Sequence, residues 1–324
     1  MQFPIKRLAI ASVAAALLCA FSLAQAQAWP AKTVRFIVPF SPGGANDLMA
    51  RAAAEGTGKA LGQTVIVENR PGAGGSLGAD IVAKSTPDGY TFLISAAGVI
   101  SNSMIKKSLP FKDEDLVPVV MIGVAPSVIV VPKSAPYETL REFVEASKKG
   151  QGFNFATAGT GSTPHFVAEM LNVKYGAKLQ PVPYKSGSES TTAVLGGQVE
   201  GTSEASIIAL PHIRGDGRFK PLATTWTQRI SAYPQISTAV EQGFPDLQIA
   251  HWAGLHAPRG TPPEIMDKLA AAVDKAMHDQ ATTEKLRGQG IEPMGGTRQD
   301  FIKFTDAERK RLGEIVKAAH MKEE

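Results

Sequence analysis

Apolar and polar positions change rhythm repeatedly along this chain, from alternation to helical spacing and back. Thr33 to Val38 is β-branched and aromatic and predicts a strand. Asp47 to Leu61 has helical spacing, although Gly56 and Gly58 inside it cost helix propensity. Thr64 to Glu68 predicts a second strand. A glycine-rich turn, NRPGAGGSLGAD, then enters a helix near Leu77 to Lys84, and PDGY turns into a third strand at Tyr90 to Ser95. This is the βαβ rhythm of a parallel sheet with helices on its faces.

The rhythm resumes with an apolar, β-rich run at Ser127 to Val131 and an amphipathic stretch at Tyr137 to Lys149. Short strands are expected at Phe153 to Thr157, Val182 to Tyr184, Gln198 to Ser203 and Leu222 to Thr225. Helices are expected at His165 to Tyr175, Glu189 to Leu195 and Ser206 to Ile213. Leu247 to Ala257 reads as extended, and two helices close the chain, Pro262 to His278 and Arg298 to Ala319. In the first of these, Ile265, Leu269, Val273 and Met277 share one face.

FIVPFSPGGANDLM and FNFATAGTGSTPHFVAEM have the same layout in the two halves of the chain. Each is a strand, a loop of small and hydroxyl residues, and a helix start. Backbone N–H groups at such a junction can hold an anion, and open α/β sheets bind ligands beyond the carboxyl ends of their strands. The expectation is therefore an α/β fold of two lobes whose helix N-termini face each other across a cleft.

Composition changes this picture at the N-terminus. Lys6 and Arg7 precede an uncharged apolar run from Leu8 to Leu23, followed by Ala24-Gln25-Ala26 and Ala26-Gln27-Ala28. That pattern predicts an export leader over residues 1–26, with cleavage after 28 as the alternative, and periplasmic location. The single cysteine, Cys19, lies in it, preceded by Leu18 where a lipoprotein site wants a small residue. The remaining chain is expected to need no disulfide, since nearly 300 residues bury a sufficient core. Without Lys6 and Arg7 the balance changes from 34 − 30 to 32 − 30, and no basic block stands out, which argues against nucleic acid as a partner.

In SPGGAND, Pro42 sets a turn, Gly43 and Gly44 permit close approach, and Asn46 or Asp47 can cap the helix. No Lys or Arg precedes Arg51 in that helix start, and G-x-x-x-x-G-K-[ST] is absent. PGAGGSLGAD has Leu77 where a dinucleotide fingerprint needs glycine. Neither Ser162 nor Ser188 sits in G-x-S-x-G, so an exported serine hydrolase is the weaker alternative. The histidines, His165, His212, His251, His256, His278 and His320, form no metal motif, so neither metal nor cofactor is expected. Glu204, in EGTSEAS at the carboxyl end of an expected strand, reads either as a solvated or salt-bridged carboxylate or as a cleft residue that hydrogen-bonds a ligand.

WPAKTVRFIVPFSPGGANDLMAR, GQTVIVENRPGAGGSLGADIVAKSTPDGYTFLI, VPYKSG, LGGQVEG, ALPHIRGDGRFKPLA and APRGTPPEIMDKL occur in this order. Together they resemble the Bug family of periplasmic solute-binding proteins, receptors of the tripartite tricarboxylate transporter type, over Trp29 to about Ala319. The resemblance implies a type II periplasmic binding protein, with two α/β lobes joined by two crossover segments around a ligand cleft. Residues 27–126 with 250–324 would form one lobe and 127–249 the other. It implies a small carboxylate ligand, membrane transporter subunits as partners, no catalysis and a monomer; a ligand-presenting sensor is the alternative. The ligand-binding set is then Phe40, Ser41, Pro42, Gly43, Gly44, Ala45, Asn46 and Asp47 in the first loop, with Ser95 and Ala96 after the third strand. From the second half it takes Thr157, Gly159, Thr160, Gly161, Ser162 and Thr163, with His165 and Glu204. Many members carry Asp-Asn where this chain has Glu204-Ala205, which reshapes the cleft wall, and Ser203 and Ser206 are expected to make that wall small and polar.

Overall fold

The computed structural model describes residues 29–322; the expected leader and Cys19 lie outside them. Ten strands form one sheet, β1 Val34–Val38, β2 Val65–Asn69, β3 Thr91–Ser95, β4 Leu116–Pro132, β5 Phe153–Thr157, β6 Leu179–Pro183, β7 Gly201–Ala205, β8 Phe219–Thr224, β9 Ala250–Pro258 and β10 Glu292–Gly295. The order is β2-β1-β3-β9-β4-β7-β5-β6, with β8 and β10 also paired to β4. β1 is parallel to β2 and β3, and β5 to β6 and β7. The sheet is nonetheless mixed, because β9 runs antiparallel to β3 and β4, and β4 runs antiparallel to β7.

β4 organises the molecule. Its residues up to Pro126 pair with β9, and from Ser127 onward it pairs with β7 and β8. One strand thus serves two sheet halves, and each half carries helices on its faces, giving two α/β lobes. The apolar run read at Ser127 to Val131 is only the second part of this strand. Val119 to Pro126 lacks the clean alternation of a half-exposed strand because it is buried on both faces.

The helices are α1 Ala45–Leu61, α2 Ser76–Ala83, α3 Ala97–Ile105, α4 Leu140–Ser147, α5 Thr163–Tyr175, α6 Gly187–Leu195, α7 Ser206–Arg214, α8 Pro263–Met277, α9 Gln280–Gly288 and α10 Arg298–Ala318. Three close the chain rather than two, α9 having few apolar positions and burying only Leu286. α3 escaped the sequence reading because AAGVISNSMI is apolar nearly all round. Gly56, which weakens α1 by propensity, is there for packing: a Cβ on it would lie 2.6 Å from the Cβ of Ala276 in α8.

Candidate functional site

Between the lobes lies a cleft of about 550 Å³. Its walls are built from helix beginnings. The N-cap residues of six helices, Gly44, Gly75, Ala96, Ser162, Ser186 and Ala205, all line it. A helix leaves its first N–H groups without intrahelical partners, and a side-chain cap normally satisfies some of them. Five of these six helices have no side-chain cap; only Ser186 caps its helix, accepting from the Glu189 N–H. Away from the cleft the habit reverses: Thr139, Asp279 and Thr297 cap α4, α9 and α10, while α8 starts on prolines. At α2 the Ser76 and Leu77 N–H groups still reach the Ala73 and Gly72 carbonyls, so the free donors gathered where a ligand fits belong to the other four starts, together with the partial positive charge of the helix ends.

The first loop is held from behind. Asp47 is 2% exposed and its carboxylate accepts from the Gly43 N–H (2.9 Å), the Asn69 amide (2.9 Å) and Arg51 (3.0 Å). Burial alone would raise its carboxyl; Arg51, the Gly43 N–H and Asn69 outweigh that and hold it below its ordinary value. The Asn69 amide also reaches the Phe40 carbonyl (3.1 Å), and the Asn46 amide donates to the Trp252 carbonyl (2.8 Å).

Of the sequence-predicted residues, Phe40, Ser41, Pro42, Gly44, Ala45, Asn46, Ala96, Gly159, Thr160, Ser162, Thr163 and Glu204 line the cleft. Six others do not. Gly43 gives its N–H to Asp47, and Asp47 is turned inward to receive it. The Ser95 hydroxyl is in the core, 2.7 Å from His256 Nδ1 and 3.1 Å from the Gly254 carbonyl. Thr157 is buried beneath Tyr184 and Ser190, which donate to its carbonyl. Gly161 packs against α3, its carbonyl 3.3 Å from the Ser101 hydroxyl, and His165 Nδ1 accepts the Gly161 N–H (3.1 Å). Ser203 and Ser206 do not make the wall polar either: they bond Ser127 Oγ and the Gly290 carbonyl.

The structure adds lining residues that spacing did not single out. Gly72 to Gly75 present backbone to the cleft, so the turn that failed as a dinucleotide fingerprint is part of the wall after all. Ala97, Gly98, Lys185, Ser186, Gly187 and His251 also line it. The signal available for 186–189 was the S-x-x-E pattern of a capped helix start. A larger depression of about 750 Å³, bordered by Glu138, Arg141, Tyr233 and Glu241, has no such donors. Among the described residues no cluster of His, Cys, Asp or Glu could hold a metal, and no helix is long and apolar enough to cross a membrane.

Two cleft groups, Glu204 fully buried and His251 half-buried, have no charged partner. Glu204 is 3% exposed; burial pushes its carboxyl up to about 8, opposed only weakly by the Thr202 hydroxyl at 3.4 Å. Burial pushes His251 down to about 4, against a hydrogen bond to the Ser203 backbone, and its Nε2 is buried with no partner. In the core, burial and the charge of Arg309 push His256 down to about 3.

These shifts set a pH profile. An acid raised by folding holds its proton longer folded than unfolded, so its contribution falls as pH rises from about 4.5 to about 8. A histidine lowered by folding does the opposite, contributing more as pH rises from its folded value to 6.5. Below pH 6.5 two histidines outweigh one glutamate; above it Glu204 acts alone. Stability of the ligand-free protein should peak near pH 6.5 and fall toward pH 8 by about 1.4 kcal/mol per pH unit. Glu204→Gln should remove the decline. Melting temperatures across this range check it, and a decline retained in the variant would exclude Glu204 as its source.

A family model described as "Tripartite tricarboxylate transporter family receptor" matches residues 49–321. The chain belongs to this family. Like other members it is a periplasmic solute-binding receptor by family, and the family's relatives are binding proteins rather than enzymes. BugT of Bordetella pertussis is 35% identical over 296 residues, 90% of each chain. The structure of R. palustris Rpa4515 with adipate is 30% identical, with a TM-score of 0.85 over 91% of this chain and 99% of that one. The structure of MatC from Rhodopseudomonas palustris with bound malate is also 30% identical, with a TM-score of 0.81 over 89% of this receptor and all of that chain.

Proposed function

We propose that this receptor captures a small carboxylate in the interlobe cleft, without altering it, and presents it to membrane subunits of a tripartite tricarboxylate-type transporter. The observation that carries the reading is the gathering of six helix N-caps at one cleft, five without side-chain caps. Free N–H donors at helix starts suit an anion, and the relatives described with adipate and malate hold carboxylates. The ligand carboxylate sits against Gly44, Ala45 and Asn46, and the Gly159 to Thr163 loop closes over the other side.

Chemistry on the ligand is disfavoured by what the hydroxyls do. Ser162 Oγ donates to the Gly159 carbonyl at 2.6 Å, and His165 Nδ1 is occupied by the Gly161 N–H. No nucleophile–base pair faces the cleft from these residues. Lobe boundaries at 126/127 and 249/250 are supported by the change of β4 partners at Ser127 and the start of β9 at Ala250. Export by the leader over residues 1–26, and a monomeric receptor, complete the proposal.

A thermal-shift series tests it. Adipate and malate at about a hundred times their dissociation constants should stabilise the protein by about 2.7 kcal/mol, and the corresponding uncharged diamides should not. Stabilisation by the diamides alone would overturn the carboxylate reading. Gly44→Leu gives a second check. Gly44 has φ −77°, open to any residue, and its Cβ would meet only the Ser41 carbonyl at 3.5 Å. The variant should fold with a loss of about 1 kcal/mol or less while its side chain fills the carboxylate end, weakening binding at least about a hundredfold. Isothermal titration calorimetry reads the loss, and unchanged affinity would move the carboxylate elsewhere.

A further inference from the structure

Glu204 is an acid buried at the cleft with no cation beside it. It is 3% exposed and lines the cleft. Its carboxyl group reaches the cleft surface: Oε2 and Oε1 lie 2.6 and 3.4 Å from where a Cβ on Gly187 would stand, and Gly187 is itself a lining residue. The hydroxyl next to it belongs to Thr202, 3.4 Å from Oε1. That hydroxyl has one proton, and the Ala156 carbonyl at 2.9 Å takes it. Thr202 therefore turns a lone pair toward Glu204, which suits an O–H on the glutamate. The titratable groups around it do not alter this. β4 and β5 carry none. Glu200, before β7, accepts the Asn154 N–H, and α7 places His212 and Arg214 in its last turn, away from Glu204 at its start. The start of α6 brings Lys185 and Glu189, both exposed, with the Glu189 carboxylate on the Lys185 N–H (3.1 Å). β9 brings half-buried His251, which burial keeps neutral. Burial pushes the Glu204 carboxyl up to about 8, in the same direction as the hydrogen bonding.

We propose that Glu204, in its acid form, is a specificity-determining residue of this receptor: it donates its O–H to the second carboxylate of a dicarboxylate ligand, so that protein and ligand share one proton. The inference rests on the carboxylate reading above, which places the first carboxylate at Gly44 to Asn46. Two carboxylates side by side in a desolvated site cannot both stay charged, and one of the pair holds a proton. Here that proton is on the protein before the ligand arrives. An O–H bond to a carboxylate is roughly twice as strong as one between neutral groups, so a second carboxylate is favoured over an amide carbonyl. An alkyl end is worse, because closing the cleft would leave the O–H buried without an acceptor. Once Glu204 ionises, the same position repels the second carboxylate. A dicarboxylate then binds only as Glu204 takes its proton back from solvent.

The test is calorimetry on the full mature chain with succinate, glutarate, adipate and pimelate, their monoamides and their diamides. It runs from about pH 6.5 to about pH 9.5, where the ligand carboxylates stay ionised. At the best length and the lowest pH, the dicarboxylate should bind at least about tenfold tighter than its monoamide. Its affinity should fall above about pH 8, by up to about tenfold per pH unit, while that of the monoamide holds or rises. Buffers of differing ionisation heat should show proton uptake climbing toward one per dicarboxylate over the same range. Glu204→Gln keeps a donor that cannot ionise, so its dicarboxylate affinity should be flat with pH. Gly187→Ala, whose Cβ would meet the end of the Glu204 side chain, should shift the carboxyl and erase the dicarboxylate preference. Monoamides binding as tightly as dicarboxylates at every length overturn the inference and leave the carboxylate reading intact, and so does a dicarboxylate affinity that ignores pH. A decline retained in Glu204→Gln assigns the proton to another group and overturns it too. Diamides binding as tightly as the acids overturn the carboxylate reading and the inference with it, and binding of none of the series overturns the inference. Should Glu204→Gln not fold, the native pH series and Gly187→Ala decide.

Discussion

Asp47→Ala is expected to abolish ligand capture and to cost the fold about 2 kcal/mol, the scale of leaving a buried hydrogen-bond donor without its acceptor. The side chain never touches the cleft. It binds the Gly43 N–H, the Asn69 amide and Arg51, and Asn69 in turn holds the Phe40 carbonyl. Removing the carboxylate leaves the Gly43 N–H without its acceptor, costs the Asn69 amide and half-exposed Arg51 one contact each, and frees the Ser41 to Gly44 turn that positions the start of α1. Urea denaturation and calorimetry with adipate measure the two effects separately. Asp47→Asn keeps the shape and one acceptor, so it should fall between alanine and the native chain. An alanine variant that binds normally would show that the loop needs no support from this side.

Gly161→Val is expected to weaken binding at least about a hundredfold, with a smaller loss of stability. Gly161 has φ +78°, a region costly for a β-branched residue, and its Cβ would lie 2.8 Å from Ser101 Oγ and 3.1 Å from the Ile105 side chain. Both neighbours belong to α3, on the other lobe of the clamp. The added methyls would therefore hold the two jaws apart, so that the ligand meets one wall at a time. Small-angle scattering with ligand present should show the variant more extended than the native receptor. Equal dimensions and equal affinity would mean that this contact is not part of closure.

Much of this was legible in the chain itself. Strands such as Val34–Val38 and Phe153–Thr157 followed from β-branched and aromatic residues bounded by turn chemistry, and both small-residue loops fell where helices begin. Other features depend on long-range contacts. Ser95 and Ser162 look alike in sequence, yet one bonds His256 in the core and the other borders the cleft. His251 carried no motif; its place comes from β9 pairing with β4, Ala125 opposite His251. Of the four further N-caps at the cleft, Gly75, Ala96 and Ala205 offer no capping side chain to recognise, whereas Ser186 carries the S-x-x-E signal of a capped start. Glu204 was visible, and either reading of it required knowing that no cation lies beside it.

The position of β9 also governs how the chain comes together in time. β9, residues 250–258, sits between β3 and β4, so the sheet half that begins with the first strand stays divided until more than a hundred further residues have arrived. β5 to β8, by contrast, lie consecutively between those two crossings and pair among themselves and with the end of β4. During vectorial emergence the middle of the chain can assemble the core between Val128 and Ile236 from its own residues, while its other face waits for Phe301 to Met321 and the earlier segment for its central strand. The N-terminal strands, made first, are thereby finished last, and the interval in which their edges stand open is when this receptor is most exposed to aggregation.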